Sequence, residues 1–243
     1  MEVSYSKTLQ TKTRLYVWNY SQPILSGYTV KKRDDFEALV EGVGSGTVPQ
    51  GRRAFSLQRT RSNIKYLVES NLTPFSKFAT FTFAKAPQGR REAIKRFKTF
   101  ATRYQQTYAE KLNYLYVLEK GSRNSKRWHI HAVIFNDRYI SLTEMRKLWR
   151  YGSARVNKLD HNSNVGLYLM KYITKDTMNL TNKKGYISSL GLTQPTVMRY
   201  PEPLDISDDI CDFIKHYTIP LYNNNNELVG EIRATLKEIS IIN

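Results

Sequence analysis

The sequence has one cysteine, Cys211, among 243 residues. A single thiol excludes an internal disulfide and any cysteine-rich zinc site. Long apolar runs are missing too. No stretch approaches the 18 consecutive apolar residues of a membrane span, so no membrane association is expected. The opening Met1-Glu2-Val3-Ser4-Tyr5-Ser6-Lys7 lacks the apolar core of a signal peptide. Acidic residues are scarce, 21 Asp and Glu against 38 Lys and Arg, which leaves a formal net charge of +17. Aromatic residues are plentiful: they make up 12% of the chain and include 17 Tyr, which argues against disorder. These features lead us to expect a soluble, intracellular globular protein of one domain, or of one domain with a small appendage.

The charge is unevenly distributed. Pro201 to Asn243 carries 3 basic residues against 8 acidic ones, so the first 200 residues hold 35 basic and 13 acidic. A body this basic has one common partner, nucleic acid phosphate. The patterns divide the chain into an N-terminal extension with a basic helix (1–70), a central domain (71–200) and an acidic C-terminal segment (201–243). Helical spacing covers Arg52 to Asn71, Gln88 to Leu112 and Asn164 to Asp176. Ser141-Leu142-Thr143-Glu144 matches a capping box at the start of a further helix. Strands are read at Lys77 to Phe83, Asn113 to Lys120, Arg127 to Phe135 and Ser153 to Lys158, with a last short one from Lys184 to Ser189. Asn113 to Lys120 and Arg127 to Phe135 flank a polar turn and form a hairpin. This order predicts an α+β fold, an antiparallel β-sheet with flanking helices.

Three short patterns carry chemistry. In Trp128-His129-Ile130-His131-Ala132, strand alternation puts both histidines on one face, roughly 6.5 Å apart along the strand, where they can share a metal ion. The alternative is a pair of ordinary strand histidines. Glu119 ends the partner strand and can face the pair across the hairpin. It can equally serve as a surface carboxylate paired with Lys120 or Lys126. Two imidazoles and one carboxylate leave coordination positions open, which suits Mg²⁺ or Mn²⁺ acting on a phosphate oxygen. In the third pattern, a helix through Asn164 to Lys175 stacks Tyr168, Tyr172 and Lys175, with Lys171 one turn from Tyr168. Such a face reads as tyrosine nucleophiles beside ammonium groups, or as a plain Tyr/Lys surface. Finally, Phe78-Ala79-Thr80-Phe81-Thr82-Phe83 alternates, with Ala79, Phe81 and Phe83 on one side and Phe78, Thr80 and Thr82 on the other.

Taken in order, Phe78-Ala79-Thr80-Phe81-Thr82, His129-Ile130-His131 and Tyr168-Leu169-Met170-Lys171 (followed by Tyr172-Ile173-Thr174-Lys175) resemble the three motifs of the HUH endonuclease superfamily. Within it the likeness is to rolling-circle replication initiators (Rep proteins) of small plasmids or single-stranded DNA phages, over about Asn71 to Pro195. The resemblance implies an HUH/Rep nuclease-like fold with an RRM-like core, working in the cytoplasm of a host cell. It implies a metal-dependent nick in single-stranded origin DNA, followed by rejoining. Tyr168 would be the nucleophile, left bearing the 5′ phosphate, with Lys171 positioning the reacting groups. His129, His131 and Glu119 would hold Mg²⁺ or Mn²⁺. Tyr172 would be a second nucleophile, and Tyr172 with Lys175 is the reverse assignment. Arg90, Arg91, Lys95, Arg96, Lys98 and Arg127 would track the DNA backbone. No Gly-x-x-x-x-Gly-Lys-Ser/Thr motif occurs, so the implied partners are a host helicase and polymerase besides the DNA. The rival readings are a non-catalytic single-stranded nucleic-acid-binding protein and an HUH transposase.

Overall fold

The computed structural model describes residues 3–25, 52–121, 127–159, 169, 172, 185–222 and 228–241. Two compact units divide the chain, Asn63–Thr193 and a unit that joins Met1–Ser62 to Gln194–Asn243. Each contains a five-stranded antiparallel sheet, and three α-helices are present among the described residues, an α+β architecture as the pattern predicts.

The first sheet joins the two ends of the chain. β1 (Val3–Gln10) and β2 (Arg14–Leu25) form a hairpin closed at Thr11, whose amide donates to the Arg14 carbonyl at 2.8 Å. In the Asn63–Thr193 unit lie β3 (Lys77–Thr82), β4 (Tyr114–Lys120), β5 (Trp128–Ile134), β6 (Ala154–Lys158) and the two-residue β7 (Ile187–Ser188). The remaining strands are β8 (Thr196–Tyr200), β9 (Phe213–Tyr222) and β10 (Leu228–Ser240), and they complete the first sheet in the order β8-β1-β2-β10-β9. Tyr16, Val17, Trp18 and Leu236 are buried in it. The acidic C-terminal segment is therefore largely strand. Two of its carboxylates pair with the chain's own cations, Glu238 with Arg14 at 3.6 Å and Asp208 with Lys237 at 2.6 Å.

The second sheet runs β6-β3-β5-β4-β7. The expected hairpin of β4 and β5 is present, and it pairs Tyr114 with Ile134 at one end and Lys120 with Trp128 at the other. One face of this sheet is the core. Ala79, Phe81, Tyr116, Leu118, Ile130 and Ala132 are buried there against the helices α2 (Arg90–Tyr108) and α3 (Leu142–Trp149). The contacts are largely aromatic: the Phe81 ring lies 5.8 Å from Phe97, 5.1 Å from Phe100 and 4.9 Å from Trp149. Such ring pairs add to the burial of their apolar area. Trp149 also donates from its indole nitrogen to the Thr82 carbonyl at 2.9 Å, which fastens α3 to the end of β3. Arg103 of α2 donates to the carbonyls of Leu148 and Trp149, satisfying the otherwise open end of α3. At the other end, Ser141 and Glu144 form the expected capping box.

Helix α1 (Arg52–Asn71) has the bounds its spacing predicts. At its last residue the Asn71 amide group bonds the Thr193 carbonyl and, through its oxygen, the Thr193 amide. No helix among the described residues is long and apolar enough to cross a membrane. Of the helix expected over Asn164 to Asp176, only Leu169 and Tyr172 are described residues.

Candidate functional site

Because side chains alternate along each strand, the register of the second sheet fixes what its other face carries. Across β4, β5 and β3 one row holds Glu119, His129 and Thr82, and the next holds Val117, His131 and Thr80. The strand β6 adds Arg155 opposite Thr80 and Asn157 opposite Phe78. This face is buried at Leu115, Val117 and Val133 and opens toward Glu119 and His129.

Glu119, His129 and His131 converge there. Their ligand atoms all lie within 4.8 Å of one another, and they are the one such group among the described residues. Glu119 Oε2 is 2.8 Å from His131 Nε2 and 3.8 Å from His129 Nδ1. The hydrogen bond with His131, above all, holds the Glu119 carboxyl below the usual carboxylate range, so at neutral pH it is ionised, as a metal ligand must be. A lone pair on Nε2 and a carboxylate at this distance need a proton or a cation between them. His131 is buried, and its Nδ1 lies 3.3 Å from the Thr80 hydroxyl. A hydroxyl that accepts from Nδ1 leaves Nε2 free for a metal, the arrangement in which an outer partner fixes the tautomer of a ligating imidazole. The residues present therefore fit a divalent ion held by two nitrogens and a carboxylate oxygen.

The Tyr172 ring lies flat on the His131 ring, with centroids 3.6 Å apart and planes 14° from parallel, and the Phe78 ring lies 6.2 Å from His131 and 6.5 Å from Tyr172. The Tyr172 amide donates to the Leu169 carbonyl at 3.0 Å. Of the four residues expected to carry the chemistry, Tyr172 is thus beside the histidines. Tyr168, Lys171 and Lys175 lie outside the described residues.

The basic residues are distributed differently. Arg90, Arg91, Lys95, Arg96 and Lys98 belong to α2, which packs on the core face, opposite the histidines. Arg91, Lys95 and Lys98 are exposed, and Arg96 is paired with Glu92 at 2.5 Å. Arg127 stands two residues before His129 and is exposed. Arg155, on the same face as the cluster, escaped the sequence reading. Ser153 to Lys158 reads as a strand, but which of its faces meets the histidines depends on its pairing with β3. Thr80 belongs to the first motif of the resemblance, but its contact with His131 follows only from the pairing of β3 with β5.

No curated protein and no solved structure matches the chain. Residues 76–177 match a family model described as that of the Replication-associated protein ORF2. The match is consistent with a rolling-circle Rep-type protein and supports a part in DNA replication. The matched segment contains the whole candidate site, from β3 through Glu119, His129 and His131 to Tyr172.

Proposed function

We propose that the protein is a replication initiator that nicks and rejoins single-stranded origin DNA through a covalent phosphotyrosine. The observation that carries this reading is the cluster of Glu119, His129 and His131 with a tyrosine ring stacked on His131, inside the segment similar to the replication-associated family. A divalent ion, Mg²⁺ or Mn²⁺, would when bound withdraw charge from a phosphate oxygen and make the phosphorus more electrophilic. The phenolic oxygen of Tyr168 attacks that phosphorus and gives up its proton. The bond to the 3′ oxygen breaks, and that oxygen takes a proton. The 5′ phosphate stays on the tyrosine, and the free 3′ hydroxyl can prime synthesis. Rejoining is the same exchange reversed. Lys171 offsets the negative charge that gathers on the reacting oxygens. The stacking of Tyr172 on His131 favours a second assignment, with Tyr172 as nucleophile and Lys175 in the role of Lys171. Host helicase and polymerase complete the implied reaction partners.

The experiment is incubation of the full chain with labelled single-stranded DNA spanning its replicon, with Mn²⁺ or Mg²⁺ and with EDTA. Site-specific cleavage that needs the metal is the expected result. Binding without cleavage in every metal would leave the non-catalytic single-strand binder, and cleavage confined to transposon ends would leave the transposase.

A further inference from the structure

We propose that a cleft at the Thr82 end of the second sheet seats the nucleotide flanking the scissile phosphate of the single strand, with Arg127 and Arg146 on its phosphate; this rests on the nicking function proposed above. The cleft measures about 690 Å³, and Thr82, Phe83, Arg127, Arg146, Gly152 and Ser153 are among its walls. That volume lies within the range of sites that hold a whole small organic group, and it is far larger than a bare anion requires.

Its place is set by the strand register. Thr82 pairs with His129, so the cleft begins one strand away from the Glu119, His129 and His131 cluster. Its floor is tied down. The Thr82 amide donates to the Ser153 carbonyl at 2.9 Å, and the Ala84 amide donates to the Tyr151 carbonyl at 2.8 Å. Gly152 comes so close that a Cβ there would lie 2.4 Å from the Thr82 carbonyl oxygen. Only glycine permits that approach, so the wall is a built feature of the sequence.

Its chemistry is cationic. Both arginines are exposed, Arg146 is anchored through Nε on the Ala154 carbonyl at 3.3 Å, and no carboxylate lines the cleft. Planar guanidinium groups match phosphate oxygens in pairs. Phe83 offers an apolar wall to a sugar or a base. Beyond Ala84 lies a second cleft of about 510 Å³, whose walls include Lys85, Lys95 and Arg150 together with the Arg96–Glu92 pair. A strand leaving the first cleft past Ala84 therefore meets further cations. It crosses the end of β3 from the histidine face to the α2 side. This route brings Lys95 and Arg150 to the DNA, although the helix of Lys95 lies behind the sheet.

The test is fluorescence anisotropy of the full chain with a fluorescein-labelled oligo(dT), without metal, over a series of salt concentrations. Arg127→Ala and Arg146→Ala should each weaken binding by about tenfold, the size of one charge-assisted contact. Together they should lower the salt slope by about 0.7, the contribution of one neutralised phosphate on a single strand. Arg146→Lys, which keeps the charge and the helix, should give an intermediate loss. A charge-matched control elsewhere in the unit, Lys147→Ala with Arg138→Ala, should stay within about twofold of the unmodified protein. A double arginine variant that binds like the unmodified protein would overturn the proposal, and so would a control that loses as much. If the arginines matter for binding but the unmodified protein never cleaves DNA, the cleft stands and the nicking function fails. If cleavage is seen and the double variant binds and cleaves normally, the cleft fails alone.

Discussion

His131 is held on three sides. The Thr80 hydroxyl meets Nδ1, the Glu119 carboxylate meets Nε2, and Tyr172 covers the ring. If Thr80 fixes the tautomer of a ligand, Thr80→Val should weaken Mn²⁺ binding about tenfold in isothermal titration without unfolding the protein, because it removes an outer-shell partner and leaves all three ligands in place. Binding unchanged by that substitution would mean that His131 is not oriented by Thr80. The cluster was legible in part. Strand alternation puts His129 and His131 on one face, while Glu119 reads equally as a surface carboxylate until the pairing of β4 with β5 sets it opposite His129. Thr80 and Arg155 were not legible, because both reach the site through pairing between strands far apart in the chain.

At the scale of elements, α3 shows how a few residues decide where a helix begins. The Ser141 hydroxyl accepts from the Glu144 amide at 3.2 Å, and the Glu144 carboxylate accepts from the Ser141 amide at 2.8 Å. The helix then places Met145, Leu148 and Trp149 in the core and Arg146 at the cleft. Ser141→Ala should cost about 1 kcal/mol in denaturant unfolding. The Ser141 bonds hold the Glu144 carboxyl below the usual range, with the Tyr108 hydroxyl adding to the effect. A group lowered on folding stabilises fully above its unfolded value, near pH 4.3, and that contribution fades as pH falls through the lower folded value. The gap between the variant and the unmodified protein should therefore narrow in acid. A gap independent of pH would show that the carboxylate takes no part. The capping box was readable because its four residues are consecutive. The end of α2 was less so: helical spacing runs on to Leu112, while the helix stops at Tyr108 because Ala109 takes a left-handed conformation with φ of 54°.

For the whole molecule, the pairing of the chain's ends was the least legible feature. Nothing local says that β10 lies between β2 and β9. Loop closure over some two hundred residues costs the same for many partners and leaves no mark in composition. Leu236 is buried on β10, opposite Trp18 on the central strand β2. Leu236→Ala should cost about 2–5 kcal/mol in chemical denaturation. A smaller loss would mean that the sheet tolerates a cavity beside its central strand. The net charge of +17 also changes meaning. It first pointed only to a polyanion. Part of it is now located around the histidine face, at Arg127 and Arg155, and along the clefts beside it.

The central claim is that a tyrosine beside the Glu119, His129 and His131 cluster becomes joined to DNA. The most direct measurement is denaturing electrophoresis of the full chain after reaction with end-labelled single-stranded replicon DNA and Mn²⁺, followed by mass spectrometry of the adduct. The account predicts a covalent adduct on Tyr168 or Tyr172. It should be lost in the corresponding Phe variant and in His131→Ala. An adduct that survives Tyr168→Phe with Tyr172→Phe, or one that forms equally well in His131→Ala, would contradict it.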